Sequence, residues 1–321
     1  MNNSYPMLDE RKKIISWSLY DWANSTFSTT VMAGFFPIFF QQYWSTASEV
    51  TVSTWYLGLA NSIASITVAS LAPFLGAIAD KASVKKRLLI FFAFIGIIST
   101  GDELVMPNSE INEHQIFESN SFGIAALVEK MGGKPIRYGI VTDSIDELRE
   151  TLNHAAEDCD ALITSGGVSM GDWDIVRKIM EAEGQINFWK VNMRPGGPPL
   201  FGEWKKKPLF GLPGNPVSSH LVFLMLVSPW FSNTYDIEET APPNLGRKVR
   251  VTMKDSVKGA KNKLCLRRIR IISANNGLQA STHTHQGSGN IHSMVAHNGV
   301  TLLPPNTNAK IGDIIDAFWF N

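Results

Sequence analysis

Two patterns of apolar positions divide the chain. Residues 14–43 and 55–78 are almost continuously apolar, broken by small polar side chains and, in the first run, by one acid, Asp21. Each run exceeds the roughly 20 residues needed to cross ~30 Å of hydrocarbon. Beyond residue 95 the apolar residues fall into shorter groups whose spacing switches between helical and strand-like. Helices are expected over residues 119–131, 146–156, 173–182 and 217–227, and strands over 135–141, 161–164, 186–193 and 209–212. Asp146 stands where it would cap the second of these helices. Strand and helix alternating in this order predict a mostly parallel sheet with helices on both faces. From about residue 244 the helical spacing stops. Short runs at 248–257, 264–272, 278–284 and 300–303, separated by turn residues, predict a small β-barrel. The expected organisation is a transmembrane α-hairpin over residues 1–87, an α/β domain over 88–243 and a β-barrel over 244–321.

Charge sharpens that division. Net charge is zero and 18% of residues are charged, below the ~25% usual for soluble chains. The deficit is local: between residues 14 and 79 only Asp21 and Glu49 are charged. The zero balance therefore averages unlike segments, and no nucleic-acid partner is expected. Arg11, Lys12 and Lys13 precede the first run, Lys81, Lys85, Lys86 and Arg87 follow the second, and no Lys or Arg lies between them. The positive-inside rule then places both flanks in the cytoplasm. At the junction, residues 88–98 form an apolar stretch that as a helix covers only ~16 Å, about half the hydrocarbon. Read as a strand, it leaves everything after it in the cytoplasm. Two cysteines, Cys159 and Cys265, are too few for a disulfide framework and read as buried thiols of a reducing compartment.

The residues with chemistry sit in the loops that leave strands, where ligands bind in parallel sheets. Gly166 and Gly167 leave one strand and precede a helix, a setting in which glycines allow close backbone approach and helix amides favour anions. The string Ser165-Gly166-Gly167-Val168-Ser169-Met170-Gly171-Asp172-Trp173-Asp174 adds two carboxylates at fixed spacing. Gly101-Asp102-Glu103-Leu104 follows the first strand, and Leu212-Pro213-Gly214-Asn215-Pro216-Val217-Ser218 follows a later one. Between them lies Lys190-Val191-Asn192-Met193-Arg194-Pro195-Gly196. Lysine and arginine suit oxyanions, arginine by forked contact with two oxygens.

In this order the four strings resemble the molybdopterin molybdenumtransferase family, across residues 95–321. One position departs from it: Gly197 stands where many relatives carry lysine. The resemblance implies a molybdopterin-binding α/β domain and insertion of molybdate into adenylylated molybdopterin with release of AMP. It implies Asp102 and Asp174 as catalytic residues and Mg²⁺ ligands. It also implies substrate binding by Gly166, Gly167, Ser169, Lys190, Arg194, Pro213, Gly214, Asn215, Pro216 and Ser218, and a homodimer. Family members carry two further domains ahead of Gly-Asp-Glu-Leu that this sequence does not show, so impaired activity is expected.

The first 90 residues resemble something else. Gly76-Ala77-Ile78-Ala79-Asp80-Lys81 with Lys85, Lys86 and Arg87, and the opening Tyr20-Asp21-Trp22-Ala23-Asn24-Ser25, are similar to the major facilitator superfamily, in its vacuole-effluxer-like branch. Asp21 reads either as a functional carboxylate inside a span or as an interfacial one. The combined expectation is a chimera held at the inner or plasma membrane through residues ~14–79, its enzyme-like part in the cytoplasm. Two alternatives remain: a truncated transporter fused to a remnant molybdopterin-binding module, and molybdopterin adenylylation, which consumes ATP.

Overall fold

In the computed structural model the strand reading of the junction holds. Residues Phe94–Thr100 form the first strand, β1, with every residue after Phe94 buried. Ile95, Ile97 and Ile98 are fully buried, each stabilising the fold by about 1.5–3 kcal/mol. The structure describes residues 36–40, 50–80, 93–168, 174–234, 245–282 and 285–320, and the chain divides into two units, residues 1–80 and 81–321.

In the first unit the main described element is α1, Val50–Asp80, with Pro73 inside it. Among the described residues no helix is long and apolar enough to cross a membrane. Thr54, Asn61, Ser62, Ser65, Thr67 and Ser70 dilute the apolar run, and the Ser62 and Thr67 hydroxyls donate back to the carbonyls of Gly58 and Ile63 at 2.8 and 2.7 Å. The expected transmembrane hairpin, and membrane attachment with it, therefore gains no support. Most of its first run lies outside the described residues, as do Tyr20 to Ser25 and residues 81–87.

The second unit opens with β1, then β2 (Leu104–Val105), β3 (Ile116–Phe117), α2 (Asn120–Met131), β4 (Lys134–Val141), α3 (Ile145–Asp158) and β5 (Ala161–Ser165). Next come α4 (Ile175–Ala182), β6 (Gln185–Trp189), β7 (Met193–Arg194), β8 (Leu200–Trp204), β9 (Lys207–Leu212) and α5 (Pro216–Val222). A π-helical stretch, Phe223–Val227, joins α5 to α6, Ser228–Thr234. Six strands make one sheet in the order β4-β1-β5-β9-β8-β6. The first four are mutually parallel, and β8 runs antiparallel to both neighbours.

Alternation along the strands builds two cores, one per face. Ile95, Ile97, Ile163, Phe210 and Leu212 pack with Ile124 and Val128 of α2 and with Val217 and Leu221 of α5. Ile98, Leu162 and Leu209 pack with Leu148 and Leu152 of α3 and with Val176 and Ile179 of α4. Strands covered on both faces read as unbroken apolar runs, as β1 and β5 do. Ser144, not Asp146, caps α3, accepting from the Glu147 amide. Asp146 lies inside the first turn and pairs instead with Arg149.

The β-barrel is present, closed in the order β10-β13-β12-β14-β15 from β10 (Gly246–Met253), β12 (Arg268–Ala274), β13 (Gly277–Thr282), β14 (Gly299–Thr301) and β15 (Ile314–Phe320). The run expected as one strand over 264–272 splits. β11 (Leu264–Cys265) leaves the barrel to pair with β7, while β12 stays in the wall. That β7–β11 pairing, with the Leu266 amide donating to the Arg194 carbonyl at 2.8 Å, ties the barrel to the sheet domain. The strand expected over 186–193 is also cut short. Lys190 has φ 71°, a left-handed backbone that no strand continues through.

Candidate functional site

The loops at the carboxyl ends of β1, β5 and β9 meet barrel loops around a cavity of about 1060 Å³. On the sheet side the wall is backbone. Gly166 and Gly167 have φ of 97° and 63°, and a Cβ on Gly166 would meet the Thr100 carbonyl oxygen at 2.5 Å. Only glycine fits there without moving β1. The Gly166 amide donates to the Leu212 carbonyl at 3.0 Å, so the glycine loop is held to the end of β9. From β9 the chain turns through Pro213, Gly214 and Asn215 into α5, with Pro216 in its first turn, where proline's missing N–H costs nothing.

Asn120, at the start of α2, fastens the two loops together. Its amide donates to the Ser165 hydroxyl at 2.8 Å and to the Gly214 carbonyl at 2.7 Å. Beneath it Glu118, almost fully buried, accepts from the Ser99 hydroxyl, the Ser121 amide and the Ser121 hydroxyl at 3.0, 2.7 and 2.6 Å. Three donors satisfy the buried carboxylate's oxygens. It holds the end of β1 against the start of α2.

The barrel side of the wall is guanidinium. Arg267 and Arg268 line the cavity together with Arg194. Arg268 is 1% exposed; its Nε donates to the Ser293 hydroxyl and its Nη2 to the Gly287 carbonyl, both at 3.0 Å. These partners are neutral, and among the described residues no carboxylate pairs with the buried charge. Burial and the neighbouring Arg267 hold its pKa below the usual guanidinium range. A buried cation solvated only by neutral groups favours an incoming anion. The Gln286 amide locks onto the Arg268 backbone, donating to its carbonyl and accepting from its N–H, both at 2.9 Å. The loop so fixed reaches across to the sheet domain, where the Ser288 carbonyl accepts from the Val217 amide at 3.1 Å.

Of the residues expected from sequence, Gly166, Gly167, Asp174, Arg194, Pro213, Gly214, Asn215, Pro216 and Ser218 all line this cavity. Two do not. Asp102 turns its carboxylate to the Asp143 amide at 2.9 Å, because the tight turn closed by the Leu104 amide on the Gly101 carbonyl aims Glu103, not Asp102, at the cavity. Lys190 rests its ammonium over the Trp189 ring at 3.7 Å. Arg177 stacks on the same ring at 3.8 Å, and the Trp189 indole N–H donates to the Val168 carbonyl at 3.2 Å. This sandwich clamps the far end of the glycine loop. Ser169 lies outside the described residues. Glu103, Asn120, Asp143, Arg267 and Arg268 line the cavity without having been singled out as site residues. The Arg267-Arg268 pair was visible in the sequence, but nothing local ties a barrel strand to a loop some 100 residues earlier.

Among the described residues the carboxylates on the wall are Glu103, Asp143 and Asp174. Asp143 is pushed up from its ordinary value by burial, then by the negative charges of Asp102 and Glu103. Among the described residues no group of three or more His, Cys, Asp or Glu side chains is placed to hold a metal by itself; of the two expected magnesium ligands, Asp174 lines the cavity and Asp102 does not. The hard oxygen donors on the wall do suit magnesium in its usual form, one or two carboxylates completed by phosphate oxygens.

Comparison with known proteins agrees with this geometry. Residues 96–233 match the family described as "Probable molybdopterin binding domain". The molybdopterin molybdenumtransferase of Haemophilus influenzae is 35% identical over 164 residues, covering 51% of this chain and 41% of that protein. The molybdenum cofactor synthesis protein cinnamon of Drosophila melanogaster is 32% identical over 243 residues, 74% of this chain and 40% of its own length. The chain thus spans well under half of these two relatives. Among solved structures, the molybdopterin biosynthesis MoeA protein of Pyrococcus horikoshii superposes with a TM-score of 0.61 at 24% identity, over 72% of this chain and 55% of that one. That likeness is one of fold, and it reaches beyond the 96–233 domain. Together these findings support the resemblance to the molybdopterin molybdenumtransferase family. None supports the transporter resemblance of the first 90 residues.

Proposed function

We propose that the chain acts in molybdenum cofactor biosynthesis, inserting molybdate into adenylylated molybdopterin with release of AMP. The observation that carries this reading is the two-sided cavity: glycine backbone at positive φ on one wall, and three arginines, one of them buried with no counter-charge among the described residues, on the other. A ligand that presents both a pyrophosphate and a separate oxyanion matches such a wall, and these are the charges of the proposed substrates. Arg194, Arg267 and Arg268 would each offer forked donors to phosphate or molybdate oxygens. Fixed donors of this kind stabilise the charge that grows on the departing phosphate when the pyrophosphate link breaks. Magnesium, held by the wall carboxylates together with phosphate oxygens, would neutralise part of the same charge.

The enzyme-like part is placed in the cytoplasm on this reading, in keeping with its two free, buried cysteines. Assembly as a homodimer belongs to the same reading. The test is AMP release from adenylylated molybdopterin by the purified full chain, with and without molybdate. Molybdate-dependent AMP is the expected result. Tight binding of the adenylylated pterin with no AMP at any molybdate concentration overturns the transferase reading and leaves a pterin-binding protein.

A further inference from the structure

The flap between β1 and α2 leaves apolar surface at the cavity that nothing in the described fold covers. Leu104 and Val105 pair in parallel with Ile116 and Phe117, and Leu104, Ile116 and Phe117 all face the cavity. Ile116 is 56% and Phe117 45% exposed, apolar area at the cavity whose burial under a ligand would be favourable. Phe117 is the one aromatic side chain on the described cavity wall; the rest is glycine, proline, aliphatic, carboxylate, amide, hydroxyl, thiol and guanidinium. No aromatic or cationic side chain among the described residues stacks on it, whereas Phe122, on α2, has the Arg137 guanidinium 3.9 Å from its ring centre.

The shelf is also anchored to the anion-binding loops. Three residues after Phe117, Asn120 bonds to Ser165 and Gly214 at 2.8 and 2.7 Å. Chain reach alone keeps the two Cα atoms within about 10 Å. A ligand whose phosphates are held by the glycine and arginine walls therefore has an apolar, aromatic surface within its own length.

We propose that Phe117, flanked by Leu104 and Ile116, stacks a planar heteroaromatic ring of the bound substrate. The inference rests on the transferase reading, whose substrate carries two such rings, a pterin and an adenine. Stacking is the chemistry they share, because either ring presents a flat face that covers the phenyl group and drives water off it.

The test titrates three probes, AMP, 6-hydroxymethylpterin and inorganic pyrophosphate, into the full chain and its Phe117→Ala and Phe117→Trp variants. The position is exposed, so both variants fold; matched thermal unfolding checks this. Phe117→Ala is expected to weaken one ring-bearing probe about tenfold, within the range found for a base on an aromatic side chain. Phe117→Trp restores it, and pyrophosphate changes less than about twofold. The probe that loses affinity identifies which ring the shelf holds. Ring probes that bind the alanine variant as well as the parent overturn the stack and leave the transferase reading standing. A parent chain that binds none of the three overturns both. Unchanged ring affinity together with a lower molecular mass for the alanine variant on gel filtration assigns the shelf to a second copy of the chain, and so also overturns the stack.

Discussion

The two walls of the cavity are built by different means. The sheet wall is made of main chain: Gly166 and Gly167 stand at positive φ, and the Gly166 amide is tied to the Leu212 carbonyl at the end of β9. The barrel wall is made of side chains, with Arg268 buried and held by a hydroxyl and a carbonyl. A backbone wall cannot be adjusted by changing one functional group. A side-chain wall can, and it fails by losing charge rather than by losing shape. Substitutions on the two walls should therefore fail differently.

The largest effect is expected from Gly166→Ala. Positive φ and a Cβ 2.5 Å from the Thr100 oxygen should cost at least about 1–3 kcal/mol in backbone strain. Urea unfolding should show the loss, with pyrophosphate affinity falling alongside it. A variant as stable as the parent would mean that the loop is free to relax. Arg268→Met should act first on binding. Hydrogen bonds from a charged donor are worth ~1.5–3 kcal/mol, so calorimetry should show pyrophosphate binding weakened about tenfold or more and less dependent on salt. Equal affinity in the variant would remove Arg268 from the anion site.

Smaller effects sharpen the contrast. Trp189→Phe keeps a ring for Arg177 and Lys190 but drops the N–H bond to Val168. It should cost about 0.5–1.5 kcal/mol, read as a lower unfolding midpoint. Leucine at this position, which also removes the stack, should cost more. Asp143→Asn should raise the melting temperature at neutral pH. The sign follows from the raised carboxyl pKa: protonated Asp143 suits the fold, so its favourable contribution is full below the ordinary Asp value and is lost as pH rises through the raised one. The gain from asparagine should accordingly shrink in acid. A gain that does not vary with pH would locate its origin elsewhere.

Much of the sheet domain was legible because its signals are local. β4, α3 and β5 lie within a few residues of their expected bounds, since periodicity reports burial over a handful of neighbours. Elements with weak local signals were missed. The β8–β9 hairpin turns at Lys205 and Lys206, both at positive φ (47° and 66°). Lysine carries no turn signature of the kind Asn-Gly gives, so β8 looked like loop. β15 was missed because its worth lies in pairing with β10, from Gly246 against Phe320 to Thr252 against Ile314, some 70 residues apart in the chain.

The candidate site divides in the same way. Sequence alone determined that the glycine loops follow strands, where parallel sheets take their ligands, because φ freedom and strand order are properties of short segments. Tertiary structure decided which charged side chains reach the cavity. It turned Asp102 onto the Asp143 amide and Glu103 inward, drew Lys190 onto Trp189, and carried Arg267 and Arg268 across from the barrel. A side chain's direction is set by one turn's dihedrals and by distant backbone packed against it, and neither is written in the spacing of residues along the chain.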